Sequence, residues 1–332
     1  LPLYGDYPSE PHSSYFTNNT GNATGGLVDG PVYTNIFNNL RGVNISTGET
    51  YQRFQPGTMV YHDSTHDYST NEPTMDGTAS LTYYLSALQK EGMRQAQSDN
   101  DKNIYSEGGI IRTDPSQKQL TLIFTAANKA DGADAIFRIL NKQKIQGAFF
   151  FTGEFFELYP QVVQKLKAEG HYIGSHSYGH LLYSPWENRD SLLVTREEFE
   201  KDMLKSYETL SETGIKYKDA PLYIPPYEYY NKKIAAWAKA MGIQLINFTP
   251  RSGSNADYTT PDMKNYKSSK MIYERIMQLE KEEGLNGHLL LIHLGTSDLR
   301  TDKFYNNYLE TMIKALKKKG YRFVPLRTAT GI

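Results

Sequence analysis

Leu120-Thr121-Leu122-Ile123-Phe124-Thr125 opens the part of the chain whose pattern decides the fold. The run is short, apolar and rich in branched and aromatic side chains, which suits a buried strand. Downstream of it, apolar runs and amphipathic stretches take turns. Residues 134–142, 160–168, 196–211, 231–240, 270–281 and 303–319 read as helices. Between them, residues 147–151, 171–174, 221–224, 244–247, 289–293 and 322–325 read as strands. Strands that are apolar throughout and alternate with helices imply an α/β fold, a parallel sheet covered by helices. About seven such units can close into a barrel.

Upstream the pattern is different. Residues 1–75 are rich in Gly, Asn, Pro, Ser, Thr and Tyr and lack helical periodicity. One helix is expected over residues 77–91, with Leu81, Tyr84, Leu85 and Leu88 on a common face and Gly92 ending it. Residues 96–117 read as a polar linker with one short strand at residues 109–112. The expected organisation is therefore residues 1–95, a linker at 96–117, and a barrel over 118–332. A start at Leu1-Pro2 without a signal peptide leads us to expect a chain that continues upstream.

Composition narrows the function. Of 332 residues, 39% are hydrophobic and 22% are charged, enough for a real core. Lys plus Arg is 36 against 37 for Asp plus Glu, and a net charge of −1 argues against a nucleic-acid binder. No apolar run is long enough to span a membrane. With no cysteine, thiol nucleophiles and thiolate metal sites are excluded. Any metal must be held by His, Asp, Glu or Asn. The 26 tyrosines supply flat apolar faces with hydroxyl tips, which suit sugar rings.

The polar residues of interest follow the apolar runs: residues 125–128, Thr152, His176, residues 225–227, residues 247–249 and His293. In a barrel of this kind, the loops after the strand C-termini converge on one face. The sharpest motif is His176-Ser177-Tyr178-Gly179-His180. Two imidazoles four residues apart on a helical turn can point at one ion. Zn, Ni, Co and Fe all suit neutral imidazole. His293 at a strand end is a candidate general acid beside such an ion. Asp131 and Asp134, after the first strand, lie close enough in sequence to reach the same place.

These motifs, in this order, make residues 118–328 resemble the polysaccharide deacetylases of carbohydrate esterase family 4. The family begins with Thr-Phe-Asp-Asp, then has Phe-Phe-x-x-Gly (here Phe149 to Gly153), His-Ser/Thr-x-x-His, Arg-x-Pro-Tyr and finally Leu-His. The resemblance implies a distorted (β/α) barrel and a divalent metal, zinc first, with nickel or cobalt as alternatives. It also implies water attack on the acetyl carbonyl of a polysaccharide such as acetylated xylan or a chitin-like glycan. His176 and His180 match the metal pair, His293 the general acid, and Pro226 and Tyr227 the substrate loop. Trp186 adds an aromatic to the substrate-binding set.

The first motif departs from the family. It reads Thr125-Ala126-Ala127-Asn128, so Ala127 stands at the base position and Asn128 at the metal carboxylate. Ile224 replaces the Arg that orients the base, and Phe248 stands nearest the usual Trp. Asp131 is then the candidate stand-in base. Two readings follow: a metal-dependent deacetylase, or a catalytically impaired carbohydrate-binding pseudo-enzyme. Residues 1–95 carry a second resemblance, through Gly25 to Pro31, Tyr61-His62-Asp63 and Asp67 to Glu72, to the C-terminal tail of glycoside hydrolase family 9. It implies Glu72 as a general acid and a cellulase-type module upstream. The substrate class implies a periplasmic or extracellular protein.

Overall fold

A computed structural model describes residues 29–43, 45, 57–62, 66–70, 79–88 and 101–332. The chain divides into two units, Leu1–Asn100 and Asp101–Ile332. In the smaller unit, strand β1 (Val32–Tyr33) pairs antiparallel with β2 (Met59–Val60), and residues 79–88 are helical. Asp67 is buried there and accepts hydrogen bonds from His62, Ser69 and Thr70.

The larger unit is built on a nine-stranded mixed sheet. Its strands are β3 (Ile104–Ser106), β4 (Gly109–Arg112), β5 (Gln119–Ala126), β6 (Ala148–Phe151), β7 (Tyr172–Ser175), β8 (Leu222–Tyr223), β9 (Gln244–Leu245), β10 (His288–His293) and β11 (Arg322–Phe323). The order is β3-β4-β10-β5-β6-β7-β8-β9, with β11 beside the start of β5. From β10 to β9 the pairs are parallel, and β3 and β4 form an antiparallel hairpin against β10. One parallel bridge, Ile110 to Ile246, joins the two ends of the curl. The sheet thus curls into a half-barrel with a thin seam, the distorted (β/α) architecture expected. Residues 104–112 belong to that sheet and are not linker.

Side-chain alternation explains the unbroken apolar runs. On β5, Leu120, Leu122, Phe124 and Ala126 face an outer core shared with the helices Ala133–Gln143 and Leu309–Lys318. Ile123 faces an inner core with Phe150, Leu222, Ile224, Leu289 and Leu291. Successive residues of a strand point to opposite faces, so a strand covered on both sides must be apolar at every position. Leu326, on the last helix, closes the inner core.

The inner face changes character at the C-terminal ends of the strands. Continuing the alternation, β5 delivers Thr125 and then Ala127, β7 delivers His176, and β10 delivers His293. Hydrophobic packing therefore sets the register that brings these side chains to one mouth.

Candidate functional site

A cavity of about 510 Å³ opens at that mouth. Its walls include Thr125, Ala126, Ala127, His176, His180, Trp186, Tyr227, Glu228, Asn255, Tyr258 and His293. The sequence-predicted His176, His180, His293, Tyr227 and Trp186 are thus brought together. Asn128, Asp131, Pro226 and Phe248 are not among the lining residues. Glu72 lies outside the described residues.

The histidine pair is presented by a bend, not by the helical turn its spacing suggests. Ser177 and His180 both adopt left-handed backbone, at φ 69° and 52°. Each such residue costs roughly 1–2 kcal/mol, and hydrogen bonds to the bend offset it. The Asp202 carboxylate accepts the Tyr178 and Gly179 amides at 3.0 and 2.8 Å. Ser177 Oγ accepts the His180 amide at 2.9 Å. The Tyr178 ring lies so close to Gly153 that any Cβ there would overlap it. That contact explains the glycine of the Phe-Phe-x-x-Gly segment.

The imidazoles suit an ion in part. Two rings bound to one ion at about 2.0–2.1 Å have centres about 5 Å apart, and those of His176 and His180 are 5.0 Å apart. His176 Nδ1 donates to the Ile224 carbonyl at 2.9 Å, which leaves Nε2 as the free donor atom. Burial, reinforced by mutual repulsion, holds His176 well below its ordinary pKa. Burial and the charge of His293 bring His180 to about 4. Both rings are therefore neutral near pH 7, the form that binds metal. Thr125 Oγ1 is buried without a hydrogen-bond partner and adds an oxygen to the same cavity. Among the described residues, no three His, Cys, Asp or Glu side chains are placed to hold one metal ion. The donor set fits an ion held by two imidazoles and otherwise by water, not one enclosed by protein ligands.

The expected third ligand and stand-in base are turned elsewhere. Asn128 is exposed, and its carbonyl accepts the Tyr159 hydroxyl at 3.2 Å. Asp131 accepts the Thr296 amide at 3.0 Å and the Tyr305 hydroxyl at 2.5 Å, and pairs with Lys303 at 2.9 Å. Although burial alone would raise its pKa, these partners hold it below the usual carboxylate range. Asp131 ties the loop after β5 to the loop after β10, where Gly295 permits the close approach of Lys129. Asp131→Asn is expected to lower stability by about 1–2 kcal/mol through the lost ion pair and weakened hydrogen bonds. Calorimetric melting checks this. An unchanged melt with a selective loss of turnover would instead make Asp131 the base.

Phe248 packs against the inner core, and Pro226 is buried in the turn before the helix Lys232–Ala240. Ile224, where the family has its Arg, is fully buried in that core. Its side chain cannot reach solvent or a carboxylate, and only its carbonyl serves the site. Asn231 caps the helix by accepting the Lys233 and Ile234 amides.

Sequence reasoning missed Asp257. It is buried in the short turn Ser254–Tyr258 and accepts His293 Nδ1 at 2.7 Å and the His293 amide at 2.9 Å. Burial disfavours the charged imidazole, but Asp257, with a further contribution from Glu228, outweighs it and raises the His293 pKa. With Nδ1 donating to Asp257, Nε2 is left for the cavity, as an imidazole that delivers a proton requires. Sequence reasoning gave Glu228 no role either. It is the acidic residue of the cavity lining, and burial raises its pKa.

An aromatic wall flanks the mouth. Trp186 is 57% exposed and Tyr227 47% exposed. Trp186 packs on Tyr229 at 4.7 Å between ring centres and edge-on to Tyr227 at 5.9 Å. Tyr227 in turn lies 4.4 Å from the His180 ring.

Residues 112–246 match the polysaccharide deacetylase family model. The peptidoglycan-N-acetylmuramic acid deacetylase PdaA of Bacillus subtilis is 24% identical over 209 residues, covering 62% of this chain and 69% of PdaA. Its solved structure, described as a family 4 carbohydrate esterase, aligns with TM-score 0.51 at 20% identity over 67% of this chain and 85% of that one. A peptidoglycan-N-acetylglucosamine deacetylase of Bacillus cereus is 28% identical over 206 residues, 59% of this chain and 64% of that protein. A protein from Bacillus anthracis described as a CE4 family pseudoenzyme aligns with TM-score 0.53 at 19% identity over 68% and 70% of the two chains. A mutant of it, described as having restored enzymatic activity, aligns equally well at 18% identity over 68% and 72%. The glycoside hydrolase family 9 resemblance of residues 1–95 has no counterpart in these matches. The family model, the curated relatives and the solved structures together support a polysaccharide deacetylase domain in the larger unit.

Proposed function

We propose that the larger unit binds an acetylated polysaccharide, of the acetylated-xylan or chitin-like class, and removes its acetyl groups only slowly. The observation that carries this reading is Ala127: the position facing His176 and His180 has no carboxylate, while the Asp257–His293 pair opposite is complete. His293 would protonate the leaving nitrogen or oxygen through Nε2, and Asp257 would hold its orientation and stabilise its charge. Tyr227 and Trp186 would support a sugar ring at the mouth. His176 and His180 would hold a divalent ion, zinc before nickel or cobalt, which when bound supplies carbonyl polarisation and a more acidic water.

The B. anthracis pseudoenzyme, which has a mutant described as having restored enzymatic activity, supports the impaired reading by analogy. We further propose action outside the cytoplasm, periplasmic or extracellular, where such polymers lie. No helix among the described residues is long and apolar enough to cross a membrane. The family 9 resemblance, with Glu72 as acid, belongs to the same carbohydrate setting.

The test pairs calorimetric titration of chitin oligomers and acetylated xylan oligomers with acetate release. Trp186→Ala is expected to weaken binding about tenfold, near 1.4 kcal/mol, without changing the melting temperature. Absence of binding by the unmodified chain to either glycan would overturn the reading.

A further inference from the structure

We infer that Glu228 is the proton acceptor of this cavity, taking over the role that Ala127 cannot perform. The inference rests on the reading that a glycan acetyl group enters the cavity. Glu228 is the acidic side chain among the residues that line it. Its carboxylate forms no hydrogen bond and no ion pair with the described residues, in contrast to Asp257 and Asp131. An uncommitted carboxylate at a cavity wall is available to a water or a substrate.

The backbone supports the assignment. Tyr227 and Glu228 are consecutive non-glycine residues in left-handed conformation, at φ 57° and 53°. Such conformations cluster where surrounding structure holds a side chain in a working position. The turn is closed by the Glu228 amide donating to the Pro225 carbonyl at 3.0 Å. Asn247 Nδ2, from a buried residue, donates to the Glu228 carbonyl at 2.7 Å. The ionisable groups that act on Glu228 are His293, which favours its charge, and Asp257, which opposes it. Burial is the largest influence on this carboxyl and raises its pKa.

The step balances. The water oxygen bonds to the acetyl carbon while one water proton passes to a Glu228 carboxylate oxygen, and the carbonyl electron pair moves onto oxygen. That pair then returns. The bond to the sugar nitrogen or oxygen breaks, and the leaving atom takes the proton of His293 Nε2. Acetic acid and a free amine or hydroxyl result, and Glu228 and His293 recover their states by exchange with solvent.

Glu228→Gln in the full chain tests this, with Glu228→Gly as a second variant in which left-handed backbone is unstrained. The readouts are melting temperature, binding of chitin and acetylated xylan oligomers, and acetate release from pH 5 to 9. Both variants are expected to bind within about twofold of the unmodified chain and to release acetate at least 100-fold more slowly. The acidic limb of the pH–rate profile should vanish with them. If either folded variant keeps the rate within a fewfold, or if the unmodified chain binds glycan and releases no acetate, Glu228 is not the acceptor and the glycan reading stands. If the unmodified chain binds neither glycan, both fall.

Discussion

Ala127→Asp is expected to raise acetate release by up to about 100-fold over the unmodified chain, the part of general-base assistance that Glu228 leaves unrealised. General-base assistance is worth about 10²–10⁴-fold where the base is correctly placed, and the position is already aimed. Thr121, Ile123 and Thr125 point inward from β5, and Ala127 continues that face into the cavity wall. The loop that carries it is held from several sides. Thr152 donates its hydroxyl to the Ala127 carbonyl, Tyr159 bonds the Asn128 carbonyl, and Asp131 pairs with Lys303. A new carboxylate at residue 127 therefore enters the cavity that His176 and His180 line. Adding Asn128→Asp should change the rate only a fewfold further, because that side chain is exposed and off the cavity. Rates are compared at equal metal loading, equal glycan binding and equal melting temperature. An Ala127→Asp chain that matches on all three and gains no rate sinks the explanation that the missing carboxylate limits turnover.

The contrast between what was legible and what was hidden follows from how far each signal reaches along the chain. The helix Pro160–Ala168 and the strands Gln119–Ala126 and His288–His293 agree with their sequence expectations to within one or two residues. Their patterns are local: a proline at the first turn, or apolar runs covered on both faces. His176 and His293 were legible for the same reason, as polar residues at the ends of buried strands. Asp257 was not, because its partner is 36 residues away and the turn Ser254–Tyr258 has no periodicity. The Glu228 turn was hidden because left-handed backbone normally announces itself by glycine, and here Tyr227 and Glu228 carry it instead. Asp131 misled because nearness in sequence to a loop says nothing about which side of the loop a carboxylate joins.

Stability is expected to fall steeply between pH 6.5 and pH 4. Burial pulls His180 and His288 each down to about 4, and it also lowers His176 and His171. These imidazoles take up protons in the unfolded chain near pH 6.5 but resist them when folded. Their contribution is therefore present above that pH and is lost as the pH falls. At pH 5 the loss is at most about 2 kcal/mol each for His180 and His288, large against a total of about 5–15 kcal/mol. His293 acts oppositely. Its raised pKa gives a contribution complete below pH 6.5 and lost as the pH rises through its folded value, so it offsets part of the loss above about pH 6.5 and little of it below. Asp131 and Asp302 are held low by their partners and weaken only below about pH 4. The melting temperature should drop by up to roughly 8–16 °C from pH 7.5 to pH 5, at about 2–4 °C per kcal/mol. His288→Leu isolates the cause. This residue is buried at the start of β10, at the far end of the strand from His293, and its ring bonds the Asn286 carbonyl at 3.3 Å. The variant should lose roughly a third to a half of the slope while its melting temperature at pH 7.5 stays within a few degrees. A melting temperature flat from pH 7.5 to 5 in the unmodified chain, or an unaltered slope in His288→Leu, would contradict the view that buried neutral imidazoles set the acid limit.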